Sequence, residues 1–454
     1  MPSELLTFFD CQTMRYHSYI KAYKTSGGQI YLYDYAHDKA INIHPELFSI
    51  LTSYDRHSDL STLSRIHPSF YQALITNELV VNSNVSDFDI CKDHLWSILC
   101  NPKVFTLTIN PTLDCNLRCW YCYEQHTHNC FMSEEVTNAI LRFSKQKIAE
   151  DELETFVLSF FGGEPLLRAN ELSIRIASKV ADYCSSMNKR FRLHFTTNGT
   201  LLTPDIIDKL ASICKDTSVQ IPFDGGHHQH NAIKKSKTIK DTYALTLDHV
   251  KTALTKGLQV TIRCNFDQNN LTSFRGLIDD LADMCPDHFD KLRFDFQKIW
   301  QTRVTKELSD NLEEIRDHLA KVSNKSTKRR TVTPNTFCYG DYHNSIVVNY
   351  DGSLHKCTAI DFSRATPIGH ITPEGTLSIM NNPYSFENRL RGVCRSCRLF
   401  PVCTVCIEAK INNPMDKCPI DISDEDIGRQ IMNRFEALFD QKVDRELTPT
   451  FLQK

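Results

Sequence analysis

The sequence has no surplus of either charge. Its 52 lysines and arginines face 55 aspartates and glutamates, for a net charge of −3. A protein that neutralises nucleic-acid phosphates needs a positive excess, so the balance argues against a nucleic-acid partner. Nor is there a run of the ~18 apolar residues that a membrane helix requires. The stretch Met1 to Tyr19 is broken by Glu4, Asp10 and Arg15 and lacks a basic start followed by an apolar core. No secretory signal and no membrane contact are therefore expected, and the expected location is the cytoplasm. Internal repeats and low-complexity tracts are absent as well. What is there suits a globular chain: 41% hydrophobic and 24% charged residues over 454 positions, with room for about three domains at ~150 residues each.

The unusual count is cysteine, at 18. In a reducing compartment such a number points to metal ligands or catalysis rather than disulfides. The cysteines are also clustered, whereas Cys11, Cys91, Cys100, Cys130, Cys184, Cys214, Cys264 and Cys285 show no ligand spacing and read mostly as small buried hydrophobes.

Residues 1–102 read as a small α+β domain, with alternation at Gln29–Tyr33, helical spacing over Pro45–Tyr54 and His67–Asn77, and an apolar run at Leu79–Val81. Residues 103–330 alternate strands and helices. Strand-like runs fall at Val104–Ile109, Phe156–Phe161, Phe191–Thr197, Val219–Phe223, Leu258–Cys264 and Leu292–Phe296. Helical patterns lie between them, at Asn170–Ser185, Pro204–Cys214, Thr242–Thr255 and Thr272–Met284, with Ser133 capping a further helix. This alternation predicts an α/β fold, a parallel sheet of six units curved into a partial (β/α)6 barrel, with its site at the C-terminal strand ends. The polar, basic segment Ser323–Arg330 reads as a linker. Residues 331–420 form a cysteine-rich extension, and 421–454 begin with a helical pattern over Asp424–Leu438.

The loop after the first strand runs Asn110-Pro-Thr-Leu-Asp-Cys115-Asn-Leu-Arg-Cys119-Trp-Tyr-Cys122. Three thiolates spaced C-x3-C-x2-C suit three irons of a [4Fe–4S] cube and leave the fourth iron open. A structural zinc site is the alternative, with His126, His128 and Cys130 at hand as further ligands. The second strand ends in Gly162-Gly163-Glu164-Pro165, the third in Thr196-Thr197-Asn198-Gly199 and the fourth in Asp224-Gly225-Gly226, while Arg263 and Asn265 close the fifth. The run Gly225-Gly-His-His-Gln-His230 reads as a substrate loop or solvent-exposed histidines.

The CNLRCWYC loop followed by GGEP resembles the signature of the radical S-adenosylmethionine (SAM) superfamily. The resemblance implies that Cys115, Cys119 and Cys122 hold a catalytic cluster whose open iron chelates the methionine end of SAM. An electron then splits the sulfonium bond and releases a 5′-deoxyadenosyl radical. It further implies that Tyr121 packs near the adenine. Gly162, Gly163, Glu164 and Pro165 would meet the methionine amino group, and Asn198, Asp224 and Arg263 would face nucleoside or substrate.

Further on come Cys338, then Asn349-Tyr-Asp-Gly352 as a hairpin turn, then Cys357, Cys394, Cys397, Cys403, Cys406 and Cys418. Seven thiolates are too many for one zinc site, though paired zinc ribbons remain an alternative. The array resembles the SPASM extension, which holds two auxiliary clusters. That resemblance implies Cys338, Cys357 and Cys406 on the first and Cys394, Cys397, Cys403 and Cys418 on the second. Cys403 and Cys406 are separated by two residues where the SPASM pattern has three. The whole resembles a peptide maturase acting on a ribosomally made precursor, with an electron donor such as flavodoxin or ferredoxin. Residues 1–102 are similar to the leader-binding domains of such enzymes. A sulfatase-maturing enzyme and a non-catalytic zinc scaffold that binds peptides are the alternatives. Sulfatase-maturing enzymes place an aspartate after the cysteine equivalent to Cys357, where this sequence has Thr358 with Asp361 the nearest acid.

Overall fold

The computed structural model of the chain describes residues 13–54, 58–124, 127–303, 305–323, 337–449 and 452. Cys11, His126 and most of the expected linker Ser323–Arg330 lie outside the described residues. The chain divides into two units. One comprises residues 101–327 and 339–384; the other comprises 1–100, 328–338 and 385–454. The cysteine-rich extension is thus shared between the units, and the N- and C-terminal segments belong to one of them.

The larger unit is built on six parallel strands in sequential order: β1 (Val104–Ile109), β2 (Thr155–Phe160), β3 (Arg190–Thr196), β4 (Thr217–Phe223), β5 (Gln259–Phe266) and β6 (Arg293–Lys298). Their neighbours pair in parallel throughout. Parallel neighbours require crossovers, and right-handed crossovers in one direction place every helix on the same face. The sequence is written accordingly. Phe156, Leu158 and Phe160 of β2 and Val219, Ile221 and Phe223 of β4 join one core with helix residues such as Ile140, Val180 and Leu210. The alternate residues point to the inner face and are mostly polar: Ser159, His194 and Ser218 share one rung. The α/β partial barrel expected from the sequence is therefore present.

The helices begin where the sequence signals them. Ser133 Oγ accepts the Val136 N–H, and Thr203 caps the helix Pro204–Ile213. Four strands extend the sheet beyond the six read from the sequence. β7 (Ser345–Val348) pairs in parallel with β1, buried on both faces, and extends the sheet on that side. It turns through Asn349–Gly352 into β8 (Ser353–His355), the expected hairpin, with Gly352 at φ +83°. The strands Gly369–Ile371 and Leu377–Ile379 continue that edge.

In the other unit, four antiparallel strands lie in the order Val443–Leu447, Ile20–Thr25, Ile30–Asp34, Lys39–Ile43. The C-terminal strand was not read from the sequence. The helix Asp424–Phe439 packs on this sheet through Phe435, whose ring centroid lies 5.0 Å from Tyr23 and 5.4 Å from Tyr33. Arg434 anchors it by a two-pronged bond to Asp38, with Nε–Oδ1 at 2.7 Å and Nη2–Oδ2 at 2.5 Å. Among the described residues, no helix is long and apolar enough to cross a membrane.

Candidate functional site

The C-terminal ends of β1 to β5 carry the cysteine loop and the polar residues around it. The loop is anchored at its start by its own sequence. Asp114 Oδ1 accepts the Cys115 N–H at 2.8 Å and Oδ2 accepts the Asn129 N–H. Arg118 bonds back to the Cys115 and Leu117 carbonyls. The loop's backbone lies directly on the end of β2. A Cβ at Gly162 would stand 2.4 Å from the Thr112 carbonyl oxygen, and one at Gly163 2.1 Å from that of Asp114. Both glycines are thus required by the chain's own packing, before any ligand is considered.

Each of the three sulfurs has a nearby donor. The Leu117 N–H points at Cys115 Sγ from 3.4 Å and Asn198 Nδ2 from 3.6 Å. The Glu124 N–H serves Cys122, and the Lys234 ammonium serves Cys119. In the metal-free protein, burial pushes the Cys115 thiol up to about 12 and the Cys122 thiol up to about 11. Thiols so buried ionise when a metal cation binds them, and N–H donors aimed at sulfur are the surroundings a thiolate-bound cluster requires. The donor set fits an iron–sulfur cluster held by three cysteines. Cys130, a further zinc ligand by the alternative, is instead held locally. Its sulfur accepts the Leu113 N–H at 3.3 Å and faces the Thr127 carbonyl at 2.9 Å. His128 lies on the surface beside Asp114.

Lys234 is the residue that sequence reasoning missed. It sits just after the short helix His227–Ile233 and is 4% exposed. Burial alone would discharge it, but the facing Asp224, Cys119 and Tyr121 hold the ammonium charged and its pKa well above the ordinary value. Asp224 Oδ2 lies 3.4 Å away, and Asp224 Oδ1 accepts the Tyr121 hydroxyl proton at 2.7 Å. Asn265 Nδ2 donates to the same hydroxyl at 3.0 Å, and Gln301 holds the Tyr121 carbonyl at 2.8 Å. Tyr121 is thereby fixed in place. In the sequence Lys234 is one of a run of lysines, Lys234, Lys235 and Lys237, and nothing there singles it out.

Glu164 is held by donors of the chain itself. Its carboxylate is fully buried and occupied within the protein: Oε1 accepts from Leu166 N and Thr197 Oγ1, and Oε2 from Asn198 N at 2.8 Å. It bolts the end of β2 to the end of β3, and burial pushes its pKa up to about 7. Pro165 follows, its carbonyl accepting the Ser173 hydroxyl. Asn198 likewise spends its amide on Asn116 Oδ1 and Cys115 Sγ and its carbonyl on Thr200. Arg263 bonds Asn265 through Nε at 3.0 Å.

Glu124 was also passed over. It is buried, its Oε1 has no hydrogen bond among the described residues, and burial together with the charge of Asp361 pushes it up to about 8. The three histidines of the Gly225 loop part company: His227 and His228 are exposed, whereas His230 is buried between Phe223 and Tyr243. The expectation of an exposed trio is corrected for His230, because helical spacing turns it inward. In the smaller unit, burial raises the Cys397 thiol, and Cys403, Cys394 and Cys418 are near enough to add to the effect. Cys406 belongs to the same unit, as does Cys338. Cys357 lies in the larger unit, buried just after β8, its sulfur accepting the Ala359 N–H at 3.3 Å. Thr358 is bound to the Tyr339 hydroxyl.

Comparison with known proteins agrees with this geometry. The sequence model of the Radical SAM superfamily matches residues 109–281. The Fe-coproporphyrin III synthase of Methanosarcina barkeri is 24% identical over 245 residues, 51% of this chain and 56% of that protein. The radical SAM cyclopropyl synthase TigE of Paramaledivibacter caminithermalis is 29% identical over 145 residues, 28% of this chain and 29% of that one. The chain thus spans only part of the curated relatives it matches, from 29% to 56% of their length. Among solved structures, native anSMEcpe with bound AdoMet and the Kp18Cys peptide superposes with a TM-score of 0.52 at 16% identity, over 73% of this chain and 96% of that one.

Proposed function

We propose that the chain is a radical SAM enzyme, with a [4Fe–4S] cluster and SAM as cofactors, and that it modifies a ribosomally synthesised precursor peptide by hydrogen abstraction, forming a crosslink, a thioether or another oxidised carbon. The observation that carries this reading is the second gathering of thiols, Cys394, Cys397, Cys403 and Cys418, away from the SAM-cluster loop in sequence. Four thiolates in one place suit an auxiliary cluster. Cys338, Cys357 and Cys406 are proposed as ligands of another.

When bound, the SAM-side cluster supplies an electron that splits the sulfonium and yields a carbon radical. The chain's own groups do the rest. Cys115, Cys119 and Cys122 hold the iron. The Leu117 and Glu124 N–H groups, the Asn198 amide and Lys234 stabilise negative charge on the sulfurs. Tyr121, locked by Asp224, Asn265 and Gln301, presents a fixed ring for the adenine. The polar inner face, with Ser159, His194, Ser218 and Arg263, suits a substrate rich in amide groups.

The leader of such a precursor adds to a sheet edge. The two outer strands of the smaller unit's sheet differ. Val443–Leu447 carries a bulge and the charges of Asp444, Arg445 and Glu446, features that discourage strand addition. Lys39–Ile43 has one charge and an unbroken register, and no strand pairs with its outer side among the described residues. We assign the leader to that edge. Formylglycine formation fits less well, since Thr358 is bound to Tyr339 and Asp361 caps Ser363.

The reductant is proposed as a flavodoxin or ferredoxin, and the location as the cytoplasm. The test is co-expression with the small open reading frame neighbouring the gene, read by mass spectrometry. A peptide lighter by lost hydrogen is expected. SAM cleavage with an unmodified peptide rules out that precursor, and formylglycine on a sulfatase peptide would favour the alternative.

A further inference from the structure

A second group of metal-binding side chains lies in the smaller unit, and no part of the radical chemistry uses it. His17 precedes the strand Ile20–Thr25, Asp34 ends the strand Ile30–Asp34, and His37 sits in the following turn. One ligand atom from each falls within 4.8 Å of the others. His17 and Asp34 are buried, at 1% and 0% exposure.

The polar accounting of this cluster is incomplete. Asp34 Oδ1 is occupied by the Ala36 N–H, but Oδ2 is turned toward the histidines. His37 Nδ1 lies 2.6 Å from it. His17 Nε2 lies 3.5 Å from it, at ion-pair distance, and is buried with no well-directed hydrogen bond among the described residues. A third imidazole stands near the group. His94, on the helix Asp87–Leu99, packs edge-on to His37 with ring centroids 4.6 Å apart, and its Nε2 is also buried without a partner. Buried polar atoms are almost always satisfied, so two orphaned imidazole nitrogens in one place point to a missing partner.

We propose that His17 Nε2, Asp34 Oδ2 and His37 Nδ1 bind a divalent metal of the zinc type, with water in the fourth position. Imidazole and carboxylate donors suit zinc, and bonds of 2.0–2.2 Å place tetrahedral ligand atoms roughly 3.3 Å apart. The His17–Asp34 separation already matches. The His37–Asp34 pair opens slightly as the metal replaces the shared proton. Binding at His17 Nε2 moves the ring proton to Nδ1, so the contact from the Tyr19 N–H to Nδ1 at 3.2 Å is given up for coordination bonds. Cys91, one turn before His94, faces Asp34 electrostatically, but its sulfur is not among the converging atoms. The ion would tie the residues just before the strand Ile20–Thr25 to the end of the strand Ile30–Asp34 and the turn after it.

The test uses the full-length, cluster-loaded enzyme, equilibrated anaerobically with zinc chloride and freed of excess by gel filtration. About one zinc per chain is expected in addition to the iron, with nitrogen and oxygen neighbours near 2.0 Å and no sulfur shell in the zinc X-ray absorption spectrum. Zinc in His17→Gln and His37→Gln proteins should fall to background with iron unchanged. No retained zinc, a sulfur shell near 2.3 Å, or full zinc in both variants overturns the site. If the variants do not fold, the wild-type spectrum decides. Iron content and SAM cleavage are read on the same samples, so failure of this site and failure of the enzyme reading are distinguishable.

Discussion

The Lys234 ammonium lies 3.4 Å from Asp224 Oδ2, and both side chains are buried beside the cysteine loop. Removing one member of a buried pair leaves the other charge uncompensated, at a cost of about 3–5 kcal/mol. Lys234→Met is therefore expected to lower the stability of the larger unit and its iron loading. The double variant Lys234→Met/Asp224→Asn should recover a good part of the loss. Denaturation of the single and double variants checks this. Equal damage in both would show that the pair is not coupled.

Asn198 touches Cys115 Sγ from 3.6 Å. Hydrogen bonds to cluster sulfur favour the more negative, reduced state. Asn198→Ala is expected to shift the SAM-side cluster to a lower reduction potential and to slow SAM cleavage by a weak reductant more than by a strong one. A potentiometric titration followed by electron paramagnetic resonance measures the shift.

Gly163→Ala puts a methyl group 2.1 Å from the Asp114 carbonyl, and the obstacle is backbone, which cannot swing aside. The expected result is loss of the SAM-side cluster, about four irons per chain, with near-normal far-ultraviolet circular dichroism. Gly257→Ala is a useful comparison, since nothing lies within 4 Å of its Cβ position. Its φ of +85° predicts a small stability loss and full iron.

His194 lies on the inner face of β3, and burial, with the charge of Arg192, lowers its pKa from 6.5 to about 4. A depressed histidine makes the unfolded state the better proton binder between those values. Stability therefore falls as pH drops from about 6.5 toward about 4. His194→Gln, which cannot titrate but can still bond Ser218, should flatten that part of the profile. Parallel profiles for the two proteins would contradict the assignment.

The strands and helices of the larger unit were legible because period-2 and period-3.6 patterns alternate there and helix starts such as Ser133, Thr203 and Asp241 carry a cap. β7 was not, since Ser345–Val348 is buried on both faces and shows no alternation. The C-terminal strand Val443–Leu447 was hidden by its charges, which belong to an edge. In the site, the three cysteines were read from spacing alone. Lys234 and Glu124 were not, because their importance lies in burial beside sulfur. Glu164 was legible as a motif, but the partners of its carboxylate were not. Its oxygens face the ends of β2 and β3, a fact of three-dimensional packing that a four-residue pattern does not carry.

The most direct test concerns the cysteine loop. Cys115, Cys119 and Cys122 are replaced together by alanine, and the reconstituted protein is assayed anaerobically with SAM and dithionite for 5′-deoxyadenosine, alongside an iron count. The account predicts no 5′-deoxyadenosine and about four fewer irons than wild type, with the remaining iron retained. Continued SAM cleavage by that variant would contradict it.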